Sequence, residues 1–137
     1  MSVNDWNRKI IEEFRENDGR VGGMFAGAPM VLLHTIGARS GEKRVNPLVY
    51  FPGEDGTMTI VASAGGAPRH PAWYHNLRAN PRTEVEVGTE RVPVVARELE
   101  GEERATVWKR IVAERPGFGE YQEKAGRVIP VVELARA

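Results

Sequence analysis

Arg39, Lys43 and Arg44 stand close together in the stretch HTIGARSGEKRVNP, interleaved with Gly37, Ser40 and Gly41. The glycines permit a tight turn in which successive backbone N–H groups converge on an anion. Guanidinium, ammonium and convergent amides are the donors that a phosphate or a run of carboxylates demands, because charge-assisted hydrogen bonds are stronger than neutral ones. The residues alone leave a second reading open, an ordinary exposed hairpin whose cations guard a sheet edge. The chain carries 19 basic against 19 acidic residues, so no global field argues for nucleic acid or an acidic membrane surface, and any anion site must be local. GARSGEKR lacks the Gly-Lys-Ser/Thr ending of a Walker loop and is not a G-x-G-x-x-G fingerprint.

Other candidates for chemistry are sparse. Cysteine is absent, which excludes thiol catalysis, thiolate metal sites and disulfides, and leaves redox chemistry to a cofactor. His34, His70 and His75 lack the spacing and carboxylate partners of a metal site, so none is expected. Ser63 in VASAGG sits outside any G-x-S-x-G elbow. It could bond a bound ring or an oxygen that becomes anionic during reaction, or simply satisfy backbone at a strand end. Trp73, Tyr74, Tyr50 and Phe51 offer planar surfaces for a flat heterocycle or for the core. The segment PGFGEYQ, with Phe118 and Tyr121, reads as a mobile lid, and Tyr121 is its phenolic proton donor.

The elements that must position these residues follow from periodicity. At 137 residues the chain is expected to form a single domain, 1–137, opening with an amphipathic helix within 1–17 whose stripe is Val3, Trp6, Ile10 and Phe14. That stripe is read as core, with a membrane- or partner-facing surface as the alternative because Trp6 lies near the terminus. Six strands are expected: MVLLHTI, RVNPLVYF, TMTIVAS, TEVEVG, ERVPVVARELE and RVIPVVEL, with turns at Ser40-Gly41 and Asp55-Gly56. A short helix starting near Pro71 should cover one barrel end, and another should span 102–114. Antiparallel strands with helices make the class mainly β with helices (α+β): a small closed barrel, or a flat sheet covered by helices. Without a long apolar run, neither a signal peptide nor a membrane-spanning helix is expected, and a cytoplasmic location is.

Taken in order, TIGARSG, RVNP, HPAWYHNLRANP and the stretch from ERATVWKRIV to GRVIPVV closely resemble the deazaflavin-dependent nitroreductase and F-420-dependent quinone reductase family, from about Gly22 to Val132. The resemblance implies a six-stranded, FMN-binding-like split β-barrel and the cofactor F-420, an 8-hydroxy-5-deazaflavin, in preference to FMN. It implies hydride transfer from reduced F-420 to a quinone such as menaquinone, or to an enone or nitro compound. It also implies that the basic hairpin holds the phosphate and the start of an oligoglutamate tail, for which FMN would need fewer charges.

By the same matching, Leu33, His34 and Thr35; Arg39, Ser40, Gly41, Glu42, Lys43 and Arg44; Asn46, Pro47, Leu48 and Val49; Ile60, Val61, Ala62, Ser63 and Ala64; and Phe118 resemble the cofactor-binding positions, and Trp73 resembles the aromatic that flanks the ring. Tyr121 and Ser63 are the candidate catalytic acids, with water as the alternative. Two departures stand out: Phe118 replaces a tyrosine of the nitroimidazole-reducing members, and Ala64 replaces a lysine of some members. The rival function is a non-catalytic carrier of F-420, flavin or a hydrophobic ligand, and the resemblance leaves the oligomeric state open.

Overall fold

The computed structural model describes residues 3–137, except for the side chains of Val3, Asn4 and Met24. Helix α1 (Val3–Glu16) is followed by strands β1 (Met30–Ile36), β2 (Lys43–Val49), β3 (Phe51–Pro52) and β4 (Met58–Val61). Helix α2 (Ala72–Ala79), strands β5 (Arg82–Val87) and β6 (Glu90–Glu98), helices α3 (Gly101–Glu114) and α4 (Gly117–Ala125), and strand β7 (Val131–Arg136) complete the chain. All strands join one antiparallel sheet in the order β2-β1-β5-β6-β7-β4-β3. Strands β2 and β3 end that order on opposite sides, yet only Tyr50 separates them in sequence. The sheet therefore curls until one segment serves both its edges, β1 through its first half and β4 through its second. RVNPLVYF, expected as one strand, is broken at Tyr50, which makes seven strands of the expected six.

Alternation along β1 sets the two layers that build the site. Val31 and Leu33 point into the barrel, where they meet Ile60, Val85 and Leu134, and Trp73, Tyr74 and Leu77 of α2 close that cluster. Met30 and Leu32 point outward and receive Ile10 and Phe14 of α1. The expected core stripe thus holds for Ile10 and Phe14, whereas Trp6 is 48% exposed and the side chain of Val3 lies outside the described residues. Gly19 carries the chain past the β5–β6 turn with φ of +93°, and a Cβ there would stand 2.7 Å from Gly88 Cα. Only glycine fits that crossing.

Helix α1 is fastened by charge as well. Arg15 Nε and Nη2 donate to the two carboxylate oxygens of Glu86 at 3.1 and 2.7 Å, and His34 Nε2 lies 2.7 Å from Glu86 Oε2. The Arg15 guanidinium, helped by His34 and opposed by burial, holds the Glu86 carboxyl down to about 2 from its ordinary 4.5. A folded-state value below the unfolded one means that the unfolded chain binds the extra proton. The contribution is therefore full above pH 4.5 and is lost as pH falls towards 2. Urea midpoints of the wild type and Glu86→Gln are expected to differ by a constant amount above about pH 5 and to converge below it. A gap unchanged at low pH would contradict that account.

Helices α3 and α4 enclose a third cluster in which Ile111, Ile129 and Val131 are fully buried beside Phe51 and Phe118. The segment read as a mobile lid is thus the helix α4, packed along the Ala64–Gly66 turn. Pro116 occupies its N-cap, and Gly119 faces Val112 of α3. The last strand begins after Pro130, later than RVIPVVEL suggested, since proline has no N–H to offer a ladder. Among the described residues, no helix is long and apolar enough to cross a membrane.

Candidate functional site

Three elements enclose an open groove of about 1440 Å³: one face of α1, the β1–β2 turn and the start of α2. Arg8 from α1 and Arg39, Lys43 and Arg44 from the hairpin line it, and no carboxylate does among the described residues. Asn46, Ser40, Trp73, His75 and Asn76 complete its polar and aromatic wall. Alternation along β2 turns Arg44 and Asn46 to the Trp73 side and Lys43 to the α1 side, so the groove wraps the β2 edge, and its four cations and one buried indole suit an elongated polyanion attached to a flat ring.

The turn itself differs from the expected amide nest. Gly37 N–H donates to the Glu42 carbonyl at 2.8 Å and Gly41 N–H to the Gly37 carbonyl at 2.9 Å. Glu42 N–H donates to Ser40 Oγ at 3.2 Å, and Ala38 N–H to Asn76 Oδ1 at 2.9 Å. The Gly37 and Gly41 amides of the expected nest are thus spent on closing the turn, the Ser40 N–H is not among these bonds, and side chains supply most of the anion donors. Arg44 meets Glu42 at 3.0 Å, an exposed pair that an incoming anion can displace cheaply.

Two groups of the proposed contact residues reach the surface, one in the groove and one around Ser63, and the others are buried or face away. Arg39, Ser40, Lys43, Arg44, Asn46 and Trp73 line the groove, and Gly41 and Glu42 form its exposed turn. Leu33 and Thr35 lie buried on the same face of β1, Thr35 bonded to Asn76, and Leu48 packs on the interior cluster. His34, Pro47 and Val49 point to the opposite, α1-facing side, where His34 engages Glu86. Ile60 and Ala62 are interior, while Val61 packs in the α3–α4 cluster.

Ser63 and Ala64 form the second place, with Ala64 held at φ of +48°. Ser63 is 8% exposed; Tyr121, 37% exposed, borders the same turn, since a Cβ on Gly66 would lie 3.4 Å from the Tyr121 ring. Phe118 stands edge-on between Phe51 and Tyr121, with 5.7 Å between centroids on each side.

A chain of contacts links the two places. His75 in the groove meets His70 edge-on at 5.8 Å, and His70 Nδ1 accepts from Arg127 Nη1 at 2.9 Å. Arg127 also donates to the carbonyls of Ala62, Ser63, Ala67 and Arg69 at 3.0–3.2 Å, tying down the whole segment before α2. Burial, then the Arg127 and His75 charges, lower the pKa of His70. His70 thereby stays neutral and keeps Nδ1 as an acceptor, with the proton on Nε2.

Arg127, Asn76 and Arg8 are absent from the sequence-derived set. Trp73 and Asn76 are three residues apart in a segment read as helical, so their shared face was legible; Arg127 had no local signal.

Comparison with known proteins places the whole chain rather than the groove. The family model of F420H(2)-dependent quinone reductase matches residues 6–135. The F420H(2)-dependent quinone reductase Rv1261c of Mycobacterium tuberculosis is 42% identical over 128 residues, 90% of this chain and 85% of that protein. A solved F420-H2 dependent reductase (FDR-A) is 48% identical with a TM-score of 0.68, covering 77% of this chain and 93% of its own. A structure described as a domain-swapped dimer is 44% identical with a TM-score of 0.71, covering 97% of this chain and 99% of its own. The chain belongs to the F420H(2)-dependent quinone reductase family.

Proposed function

We propose that this protein is an F-420-dependent oxidoreductase that reduces quinones, and the observation that carries the reading is the groove lined by Arg8, Arg39, Lys43 and Arg44, of which Arg8 and Arg44 form only exposed pairs, with Asp5 and Glu42. The donor set fits the cofactor: Arg39, Lys43 and Arg44 would hold its phosphate and first tail carboxylates, Arg8 the outer tail, and Trp73 would flank the ring. When bound, reduced F-420 supplies a hydride, which with one proton converts a quinone to its hydroquinone. This chain's share is to bind, orient and protonate: the basic turn would hold the tail, Trp73 of α2 would set the ring's angle, and the Ser63 turn with α4 would border the acceptor. Tyr121 or Ser63 would deliver the proton to the acceptor oxygen. FMN, with one phosphate, would leave much of the cation row unused.

The FMN-binding-like description of the barrel, and enones as further acceptors, belong to the same proposal. Phe118 offers no hydroxyl and is packed against Phe51, so nitroimidazoles are expected to be poor acceptors. The carrier alternative is separated by single turnover: mixing the protein with reduced F-420 and menadione should restore the oxidised cofactor's absorbance faster than in the protein-free control. Equal rates would refute the reductase reading. Exposed Trp6 supports a membrane contact through α1, tested by liposome sedimentation with and without residues 1–17; pelleting unaffected by the deletion would refute it.

Glu42 competes with the tail for Arg44. Glu42→Gln is expected to tighten F-420 binding by roughly two- to fivefold at low salt, an exposed pair being worth at most about 1 kcal/mol. Weaker binding in a titration would show instead that Glu42 orders the turn.

A further inference from the structure

Asn76 is 7% exposed and sits where α2 meets the β1–β2 hairpin. Its Oδ1 accepts the Ala38 N–H at 2.9 Å, and its Nδ2 donates to Thr35 Oγ1 at 3.1 Å. The first bond fixes the turn; the second fixes the strand end that leads into it. Ala38 N–H can only donate, so the amide cannot reverse without setting its own NH2 against another donor. Trp73 lies three residues earlier on the same helix, and both side chains line the groove.

We infer that Asn76 is a positioning residue, which holds the cation-bearing turn at a set distance from Trp73 so that the phosphate end and the ring of one ligand are received together. The inference rests on the functional reading above and deepens it. Few side chains could substitute. Aspartate keeps an acceptor for Ala38 but loses the donor to Thr35, and it adds a negative charge beside Arg39, Lys43 and Arg44. Leucine fills the space but leaves the Ala38 N–H without its partner. Alanine frees the turn, whose remaining bonds run within residues 37–42, so the cations would lose their register with the ring site while staying attached to the sheet.

The distinguishing property is selectivity for the anionic part of the ligand. Two probes are titrated by fluorescence: F-420, and its bare deazaflavin chromophore without phosphate or carboxylates. Asn76→Ala is expected to weaken F-420 binding about tenfold while leaving chromophore binding within twofold. In turnover it should raise the KM for reduced F-420 with kcat nearly unchanged. Asn76→Asp should weaken F-420 more than alanine does, and the excess should shrink in high salt as its charge is screened. Thr35→Val, which removes one bond and keeps the other, should have a smaller effect in the same direction.

Hydrogen exchange of the ligand-free protein reports on the tether without any cofactor: the Ala38 amide should be protected in the wild type and exchange faster in Asn76→Ala. Equal loss of both probes would assign Asn76 a general structural role and overturn the inference. Unchanged F-420 affinity, or unchanged Ala38 exchange, would overturn it too. Failure of the wild type to bind F-420 would contradict the functional reading itself, and that is visible before any variant is compared.

Discussion

Replacing Lys43 and Arg44 together by alanine is expected to weaken F-420 binding roughly 100-fold at low salt, from about 1.4 kcal/mol per lost charge-assisted contact in an open groove. Both side chains are exposed, and the partner of Arg44, Glu42, is exposed as well, so the melting temperature should move little. Wild-type affinity should fall as salt rises, and the variant should respond less, because two of the four groove cations are gone. The bare chromophore should bind both proteins alike. Unchanged F-420 affinity would remove the groove as the tail site, whereas a large fall in melting temperature would show that the cations serve the fold.

Arg127→Ala should behave in the opposite way. Its guanidinium bonds four backbone carbonyls between Ala62 and Arg69, and His70, across a sequence separation of 57–65 residues. Losing it leaves those carbonyls to water or to nothing, at a cost of about 3 kcal/mol. For a domain of this length that corresponds to a fall of roughly 10 °C in melting temperature. Arg127→Lys should recover little, since a single ammonium cannot reproduce the planar fork. Thermal unfolding followed by circular dichroism decides the matter; a shift under about 2 °C would mean that the segment before α2 is held by its own packing.

Local patterns in the chain disclosed most of the elements and one wall of the groove. Helix α1, both hairpin turns and the cations of the first one were readable because each depends on neighbours in sequence. The seventh strand was not, because the break at Tyr50 arises where one segment leaves β1 and joins β4 on the far side of the curl. Helix α4 begins inside PGFGEYQ, the segment expected as a lid, where Gly117 is its first residue and Gly119 faces Val112 of α3. The turn's amides looked available because their partners at residues 37, 42 and 76 are set by folded geometry. Arg127 lies outside every motif and acts through a distant loop. Among the cofactor-contact candidates, those in the basic turn and Trp73 converge on one groove, while those around Ser63 and Tyr121 gather at a second place reached through His70 and Arg127.

The central claim is that a cation-lined groove selects a deazaflavin with a polyanionic tail. It is tested most directly by titrating the purified protein with F-420 and, in parallel, with FMN, at low and high salt. The account predicts saturable binding of F-420, markedly tighter than FMN, with a gap that narrows as salt rises. Equal affinity for the two, or a preference for F-420 that salt does not change, would contradict it.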